Sequence, residues 1–223
     1  KGEIVAVVPK TYLPNYGEFY EQRWFASGKD LDVTLELCGQ QVSLCSRQLW
    51  ACDTMPGLVV GVEVCEDLWA STPPSVALAE AGATVILNLS ASDELVGKAE
   101  YRRRLVCGQS ARLVCGYVYA NAGEGESTTD LVFAGNGIVA ENGRILRESG
   151  RFRLEEQLVV ADIDIQRLEF ERRRNTSFRM HEGAAENTVI EMEVPEGLRA
   201  AALDRDIDPM PFVPQDEAHR SER

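Results

Sequence analysis

Short apolar runs alternate with longer helical stretches in the middle of this sequence, and the alternation limits the folds open to the chain. Residues 58–64, 84–88 and 116–121 are apolar runs of strand length, which predicts buried strands. Residues 73–81, which open on two prolines and stop before Gly82, predict a helix, and residues 97–115 predict a second, basic helix. The strand–helix–strand–helix–strand order indicates an α/β layer structure.

The sequence on either side of this central part predicts further strands. Residues 3–9 form an apolar run that predicts a strand near the chain start. After residue 130 the pattern indicates a meander, with strands predicted at 131–133, 137–140, 144–146 and 158–162. Asn142-Gly143 between two apolar runs is a strong hairpin signal. A helix at 165–174 and a last strand at 188–194 complete the predicted elements.

The distribution of Asp, Pro and Glu predicts a boundary near residue 203. We expect residues 1–202 to form one domain and residues 203–223 to form a linker or arm towards a second domain. Because the first apolar run begins almost at residue 1, we also expect the N-terminal part of the domain to be missing from this sequence.

Composition narrows the class of protein. The chain has 23 basic and 36 acidic residues, a formal charge of −13, which disfavours nucleic acid and anionic membranes as partners. No apolar run approaches the roughly 20 residues needed to span a bilayer. The first residues, with an early acid, do not resemble a secretory signal. These features predict a soluble cytoplasmic protein.

Cysteines and histidines are placed in a way that disfavours several kinds of site. The six cysteines contain no C-x-x-C pair and are expected to be reduced thiols, so neither a zinc site nor a disulfide framework is predicted. Of the two histidines, His181 lies in a polar stretch and His219 in the tail, which disfavours a Cys-His or Ser-His-Asp site. The sequence has no Walker A loop and no G-x-G-x-x-G motif after a strand, and no cofactor is expected in this chain.

Cys65 is the first candidate for a reacting group. It ends the apolar run 58–64, and open α/β sheets carry their reacting groups at the carboxyl ends of strands. A cysteine at a strand end is more often core filler, but Glu66 and Asp67 follow it directly, and charged neighbours fit a cleft better than a core. A nucleophilic thiol with an ordinary pKa near 8.5 needs a base or a cation nearby.

Lys10 is the second candidate, because it follows the first predicted strand in the same way. An ordinary surface lysine would be the simpler interpretation. The next eleven residues contain three tyrosines and two acids, Tyr12, Tyr16, Glu18, Tyr20 and Glu21, and this composition favours the wall of a binding site. An interface with another chain remains the alternative.

Five segments together resemble the nitrilase superfamily and, more narrowly, the glutaminase domain of glutamine-dependent NAD synthetases. They are V-P-K-T-Y-L-P-N-Y-G-E-F-Y-E at 8–21, V-E-V-C-E-D-L-W at 62–69, N-L-S-A-S at 88–92, the run from Tyr117 to Gly135, and D-P-M-P-F-V-P at 208–214. The resemblance covers nearly the whole chain and implies a four-layer α-β-β-α sandwich. It also implies a Glu-Lys-Cys catalytic set, in which Lys10 and Cys65 match the lysine and the cysteine. The family's glutamate lies well upstream of the lysine, and no residue here matches it.

The resemblance further implies a substrate and partners. Cys65 would attack the side-chain amide of L-glutamine, with Tyr16, Ser92, Lys98 and Glu66 holding the substrate. Ammonia would pass to a synthetase domain of the same polypeptide, where ATP and magnesium serve the formation of NAD. Family members associate, so a homo-oligomer is expected. Two alternatives stay open: another amidase of the nitrilase superfamily, and a catalytically incomplete fragment that docks on a synthetase partner.

Overall fold

The computed structural model describes residues 3–126, 131–178, 187–195, 203–205 and 207. The strands are β1 Ala6–Val7, β2 Asp32–Leu37, β3 Gln40–Cys45, β4 Gln48–Cys52, β5 Val59–Val64, β6 Val85–Ser90, β7 Gly116–Asn121, β8 Gly137–Glu141, β9 Arg144–Glu148 and β10 Thr188–Met192. The α-helices are α1 Pro74–Glu80, α2 Lys98–Leu113 and α3 Ile165–Arg174, and two short 3-10 helices cover Glu21–Arg23 and Cys65–Trp69.

The strands form two sheets. Seven strands pair in the order β10-β4-β5-β6-β7-β8-β9, with β5, β6 and β7 parallel to one another and β4 and β8 antiparallel to their inner neighbours. The other three pair in the order β1-β3-β2, with β1 parallel to β3. Since β5, β6 and β7 run the same way, the residues that follow them lie along one edge of the sheet, where α/β proteins build their sites.

The helices cover the seven-stranded sheet and enclose the core. Helix α1 contacts β5, and α2 contacts β7, β8 and β9. Apolar side chains from both helices and the central strands form one buried cluster, which contains Leu49, Leu68, Leu78, Ala79, Ala83, Ile86, Val106, Leu113, Cys115, Tyr117, Tyr119, Ile138 and Ala140. Pro74 starts α1 because a proline in the first turn needs no hydrogen-bonded N–H. Asp164 starts α3 by accepting a bond of 2.9 Å from the amide of Arg167.

Most predicted elements are confirmed. The α/β class is correct, and the strand–helix–strand–helix–strand series corresponds to β5, α1, β6, α2 and β7. The Asn142-Gly143 turn joins β8 to β9 with both residues at positive φ, 44° and 86°, as a tight hairpin of this type requires. The helix predicted at 165–174 has the observed bounds of α3.

Three strand predictions need correction, and three strands were not predicted. The first strand is limited to Ala6–Val7, and Phe133 makes only an isolated bridge with Asp93. No strand forms at 158–162, where Leu158 is 89% exposed and lacks a neighbouring strand. Strands β2, β3 and β4 were not predicted. β2 alternates polar and apolar residues and forms a hairpin with β3, while β1 pairs with β3 from a more distant part of the chain.

The end of the described chain lies against the sheet. Arg205 donates to both carboxylate oxygens of Glu141 at 2.9 and 3.0 Å and to the carbonyl of Asp162 at 3.2 Å. The stretch Pro209–Pro214, expected to belong to the arm, and His181 lie outside the described residues. Within the described parts, no helix is both long and apolar enough to cross a membrane.

Candidate active site

Cys65 sits at a sharp turn between β5 and the 3-10 helix that it begins. Its φ is +52°, a left-handed conformation that residues other than glycine seldom adopt and that concentrates at functional sites. The side chain is 9% exposed, and all six cysteines of the chain are free thiols. The turn therefore presents a single thiol at the sheet edge identified above.

Lys10 lies in an ion pair that the sequence did not predict. Its ammonium donates to both carboxylate oxygens of Glu21, at 2.7 and 2.6 Å, and the backbone carbonyl of Lys10 accepts from Gly28 at 2.8 Å. The Lys10 charge also acts to lower the pKa of Glu66 and of Asp67, so the ammonium lies beside the two residues that follow Cys65. Lysine and cysteine are thus brought to one place from two different sheets.

Glu66 and Tyr16 form the next part of the site. The Tyr16 hydroxyl donates to the Glu66 carboxylate at 2.7 Å. Burial raises the pKa of Glu66, while the bond from Tyr16 and the charges of Lys10 and Lys98 act against that rise. Burial, followed by the bond to Glu66, raises the pKa of Tyr16, and Cys65 contributes to the rise. These mutual effects place Cys65, Lys10, Tyr16, Glu66 and Lys98 in one cluster.

Lys98 begins α2 and carries its charge into an aromatic surrounding. Its ammonium is paired with the buried carboxylate of Asp93 and lies 5.5 Å from the ring centre of Phe19 and 5.4 Å from that of Trp69. Tyr101 stacks on Trp69 with ring centres 5.3 Å apart. An ammonium group that contacts two aromatic rings and only one carboxylate can still bind an anionic group of a ligand.

Ser92 is held in the protein interior beside the cluster. Its amide donates to Asn121 Oδ1 at 2.8 Å, its carbonyl accepts from Asn121 Nδ2 at 2.9 Å, and its hydroxyl lies 3.5 Å from the guanidinium of Arg102. The residue is 3% exposed. Arg102, itself fully buried, also binds the Asp93 carbonyl at 3.1 Å and Glu94 at 2.9 Å. These hydrogen bonds hold the loop that follows β6, and the Ser92 hydroxyl faces Arg102.

Asp67 connects the segments that carry Lys10 and Cys65. One carboxylate oxygen accepts from the amides of Thr11 and Tyr12 at 3.1 and 2.8 Å, and the other from the amide of Val64 at 2.9 Å. Burial raises the pKa of Asp67, and these three backbone bonds act against the rise. The sequence signalled Asp67 only as a charged neighbour of Cys65, and Glu21 only as one acid of the loop.

The described residues show no metal centre, but they do show a cleft next to the cluster. Among them, no three His, Cys, Asp or Glu side chains are arranged to hold a metal ion. A cleft of about 550 Å³ opens beside Glu66 and is lined in part by Tyr12, Gln22, Phe25 and Lys29. The site is thus made of a thiol, two ammonium groups, carboxylates and aromatic rings.

Comparison of structures gives the class of protein. A carbon-nitrogen hydrolase from Helicobacter pylori G27 matches with a TM-score of 0.57 at 20% identity, over 76% of this chain and 55% of that one. A glutamine-dependent NAD(+) synthetase from Cytophaga hutchinsonii matches with a TM-score of 0.53 at 31% identity, over 64% of this chain and 22% of that one. The chain therefore has the nitrilase, or carbon-nitrogen hydrolase, fold. No family model matches the sequence.

Sequence relatives narrow this class. The glutamine-dependent NAD(+) synthetase of Mycobacterium tuberculosis H37Rv is 42% identical over 221 residues, which are 97% of this chain and 32% of that protein. The enzyme of the same name from Thermotoga maritima is 31% identical over 166 residues, 74% of this chain and 25% of that protein. The chain is a homologue of glutamine-dependent NAD(+) synthetases along nearly its whole length, and it spans about a third of the length of the Mycobacterium tuberculosis protein.

Proposed function

We propose that this chain hydrolyses the side-chain amide of L-glutamine and supplies ammonia for the synthesis of NAD. The observation that carries the proposal is the cluster around Glu66. This carboxylate directly follows Cys65, accepts a bond of 2.7 Å from Tyr16, and lies under the influence of both Lys10 and Lys98. An amide hydrolase of this kind needs a thiol nucleophile, a cation beside the thiol, and polar side chains that bind the amino-acid substrate.

The chemistry uses Cys65 as the nucleophile. Its thiolate attacks the amide carbon of glutamine, and a C–S bond forms as the carbonyl electrons move to oxygen. Lys10 favours both the thiolate and this oxyanion. Collapse of the intermediate breaks the C–N bond, and ammonia leaves after the nitrogen gains a proton. Water then attacks the thioester, forming a C–O bond and breaking the C–S bond, so that glutamate is released and the thiol is restored. In the family a glutamate gives the proton to the leaving nitrogen and takes a proton from the attacking water, and no residue of this chain is assigned to that role.

The remaining candidate residues would bind the substrate. Lys98 is suited to the α-carboxylate, because its ammonium lies at the start of α2, 5.5 Å from the ring centre of Phe19 and 5.4 Å from that of Trp69. Glu66 and Tyr16 are suited to the ammonium and amide groups of glutamine, since both carry polar atoms within the cluster. Ser92 would contribute to substrate binding from the loop that follows β6, where two hydrogen bonds to Asn121 hold its backbone.

Family membership extends the proposal to partners. The relatives are glutamine-dependent NAD(+) synthetases of about three times this length. We propose that ammonia passes to a synthetase domain of the same polypeptide, where ATP and magnesium activate nicotinic acid adenine dinucleotide. A cytoplasmic location and a homo-oligomeric assembly belong to the same proposal.

The test is covalent labelling with a diazo-ketone analogue of glutamine, resolved by peptide mass spectrometry. We expect the reagent to modify Cys65 alone among the six thiols and glutamine to slow the modification. Cys65→Ala should abolish labelling, whereas the matched control Cys107→Ala, which removes a half-buried thiol on α2, should leave it unchanged. Labelling spread evenly over all six thiols would contradict the proposal. Labelling of Cys65 that glutamine fails to slow would favour a different amide substrate.

A further inference from the structure

We propose that Asp67 is a positioning residue that holds the Lys10 segment against the Cys65 turn. The inference rests on the proposed function only in taking Cys65 and Lys10 as the reacting pair. Its carboxylate binds the amides of Thr11 and Tyr12, which follow Lys10, and of Val64, which precedes Cys65, so it acts through the backbone.

The two segments belong to different sheets, so strand pairing does not fix their distance. Lys10 follows β1, which pairs with β3 in the three-stranded sheet, and Cys65 follows β5 in the centre of the seven-stranded sheet. Asp67 spans this gap with one oxygen on the Thr11 and Tyr12 amides and the other on the Val64 amide. Each segment is thus held within two residues of its reacting group.

The burial of Asp67 makes this link stiff. The residue is 1% exposed, so water does not compete for its oxygens, and three backbone donors satisfy the carboxylate. By contrast Tyr16, which also joins the two segments through Glu66, is 58% exposed. A buried carboxylate with a donor set on each side fixes geometry better than an exposed tyrosine.

Asp67→Asn is the informative substitution, because asparagine has nearly the same shape but only one acceptor atom. It can serve the Thr11 and Tyr12 amides or the Val64 amide, and its own N–H groups face the donors that are left. The variant therefore cuts one half of the link while filling the same space.

The experiment measures the alkylation rate of Cys65 by iodoacetamide, resolved by peptide mass spectrometry, in four proteins: the parent, Asp67→Asn, Lys10→Gln and the double variant. If Asp67 acts through Lys10, Asp67→Asn is alkylated about tenfold or more slowly than the parent. The double variant then differs from Lys10→Gln by less than about twofold. Glu141→Gln is the control, since it removes a buried carboxylate at the opposite end of the central strands and should leave the rate unchanged.

Two results would overturn the inference: an unchanged rate in Asp67→Asn, or an equal fall with and without Lys10, which would mean that Asp67 only stabilises the turn. If Asp67→Asn does not fold, Asp67→Glu takes its place. It keeps both oxygens but adds a methylene, and should slow alkylation a few-fold only when Lys10 is present. Glutamine hydrolysis is measured separately, in a form extended to the length of the relatives. If alkylation depends on Asp67 and Lys10 together but the extended form does not hydrolyse glutamine, the proposed function alone is refuted. If hydrolysis is intact in Asp67→Asn, the positioning role alone is refuted.

Discussion

The ammonium of Lys10 and the carboxylate of Glu21 form a two-oxygen ion pair, with Nζ 2.7 Å from Oε1 and 2.6 Å from Oε2. The pair joins the end of β1 to the 3-10 helix that Glu21 begins. Its side chains are 16% and 28% exposed, so it is neither a surface pair nor a fully buried one. It therefore fixes the direction in which Lys10 presents its charge.

Glu21→Gln should separate activity from stability. A partly exposed pair contributes at most about 1 kcal/mol to the free energy of unfolding, so the urea midpoint should change little. The ammonium loses its fixed direction, and glutamine hydrolysis should fall about tenfold or more. Glu100→Gln, which removes an exposed carboxylate bound to Arg104 at 2.9 Å, is the control and should change neither quantity. Unaltered hydrolysis in Glu21→Gln would show that the pair does not position Lys10.

Arg102→Met should destabilise the fold strongly. Arg102 is fully buried and binds Glu94, Asn136 and the backbone of the loop after β6, and its loss leaves Glu94 with the exposed Arg151 alone. Removing one partner of a buried ion pair costs about 3 kcal/mol or more. Urea unfolding measures the loss, and Arg104→Met, on the exposed side of α2, should cost less than about 1 kcal/mol. Similar midpoints for both variants would refute this role of Arg102.

Glu63 should make stability depend on pH. The residue is 1% exposed, and burial raises its pKa despite bonds from Tyr117 and the Ser75 amide. The folded state therefore holds this proton more tightly than the unfolded state, whose glutamate titrates near about 4.3. The stabilisation is fully present below that pH and is lost as pH rises through the raised pKa.

Urea midpoints measured from below about pH 4.3 upwards test this dependence of stability on the protonation of Glu63. The free energy of unfolding should fall as pH rises, and Glu63→Gln, which does not titrate, should have a shallower fall. Glu171→Gln removes a more exposed carboxylate on α3 and should retain the parent slope. Equal slopes in all three proteins would contradict the assignment.

Two glycine substitutions should have opposite signs. Gly143 has a φ of +86°, and an added Cβ would lie 2.9 Å from Cβ of Ala111, so Gly143→Ala should cost about 1–2 kcal/mol. Gly108 lies inside α2 with open space where a Cβ would be, so Gly108→Ala should stabilise by up to about 1 kcal/mol. Thermal unfolding of both variants measures the two changes in stability. Destabilisation by Gly108→Ala would contradict the description of α2.

Local sequence signals account for what could be predicted. The strand before Cys65, the prolines before α1 and the Asn142-Gly143 turn each carry their information within a few residues. The alternation in β2 is a local signal for its hairpin with β3 that was missed, whereas the pairing of β3 with β1 joins residues nearly forty positions apart. The run 158–162 is apolar up to Asp162 and so predicts a strand, yet no strand pairs with it in the described chain.

Some features of the site could likewise be predicted from the sequence, and others could not. Cys65 and Lys10 could be proposed because each follows an apolar run, and a family resemblance supplied Tyr16, Glu66, Ser92 and Lys98. The sequence could not show that Glu21 pairs with Lys10, or that Asp67 binds amides more than fifty residues away. Nor could it show that the Ser92 hydroxyl faces Arg102. These contacts depend on how the two sheets meet.

Cys65 is the proposed nucleophile for glutamine hydrolysis, and the amounts of ammonia and glutamate released from glutamine measure that activity. The measurement uses a form extended to the length of the relatives, together with Cys65→Ser and Cys107→Ser in that form. We expect equal amounts of both products from the extended protein and from Cys107→Ser, and none from Cys65→Ser. Undiminished release by Cys65→Ser, or no release from a folded extended protein, would show that Cys65 does not hydrolyse glutamine.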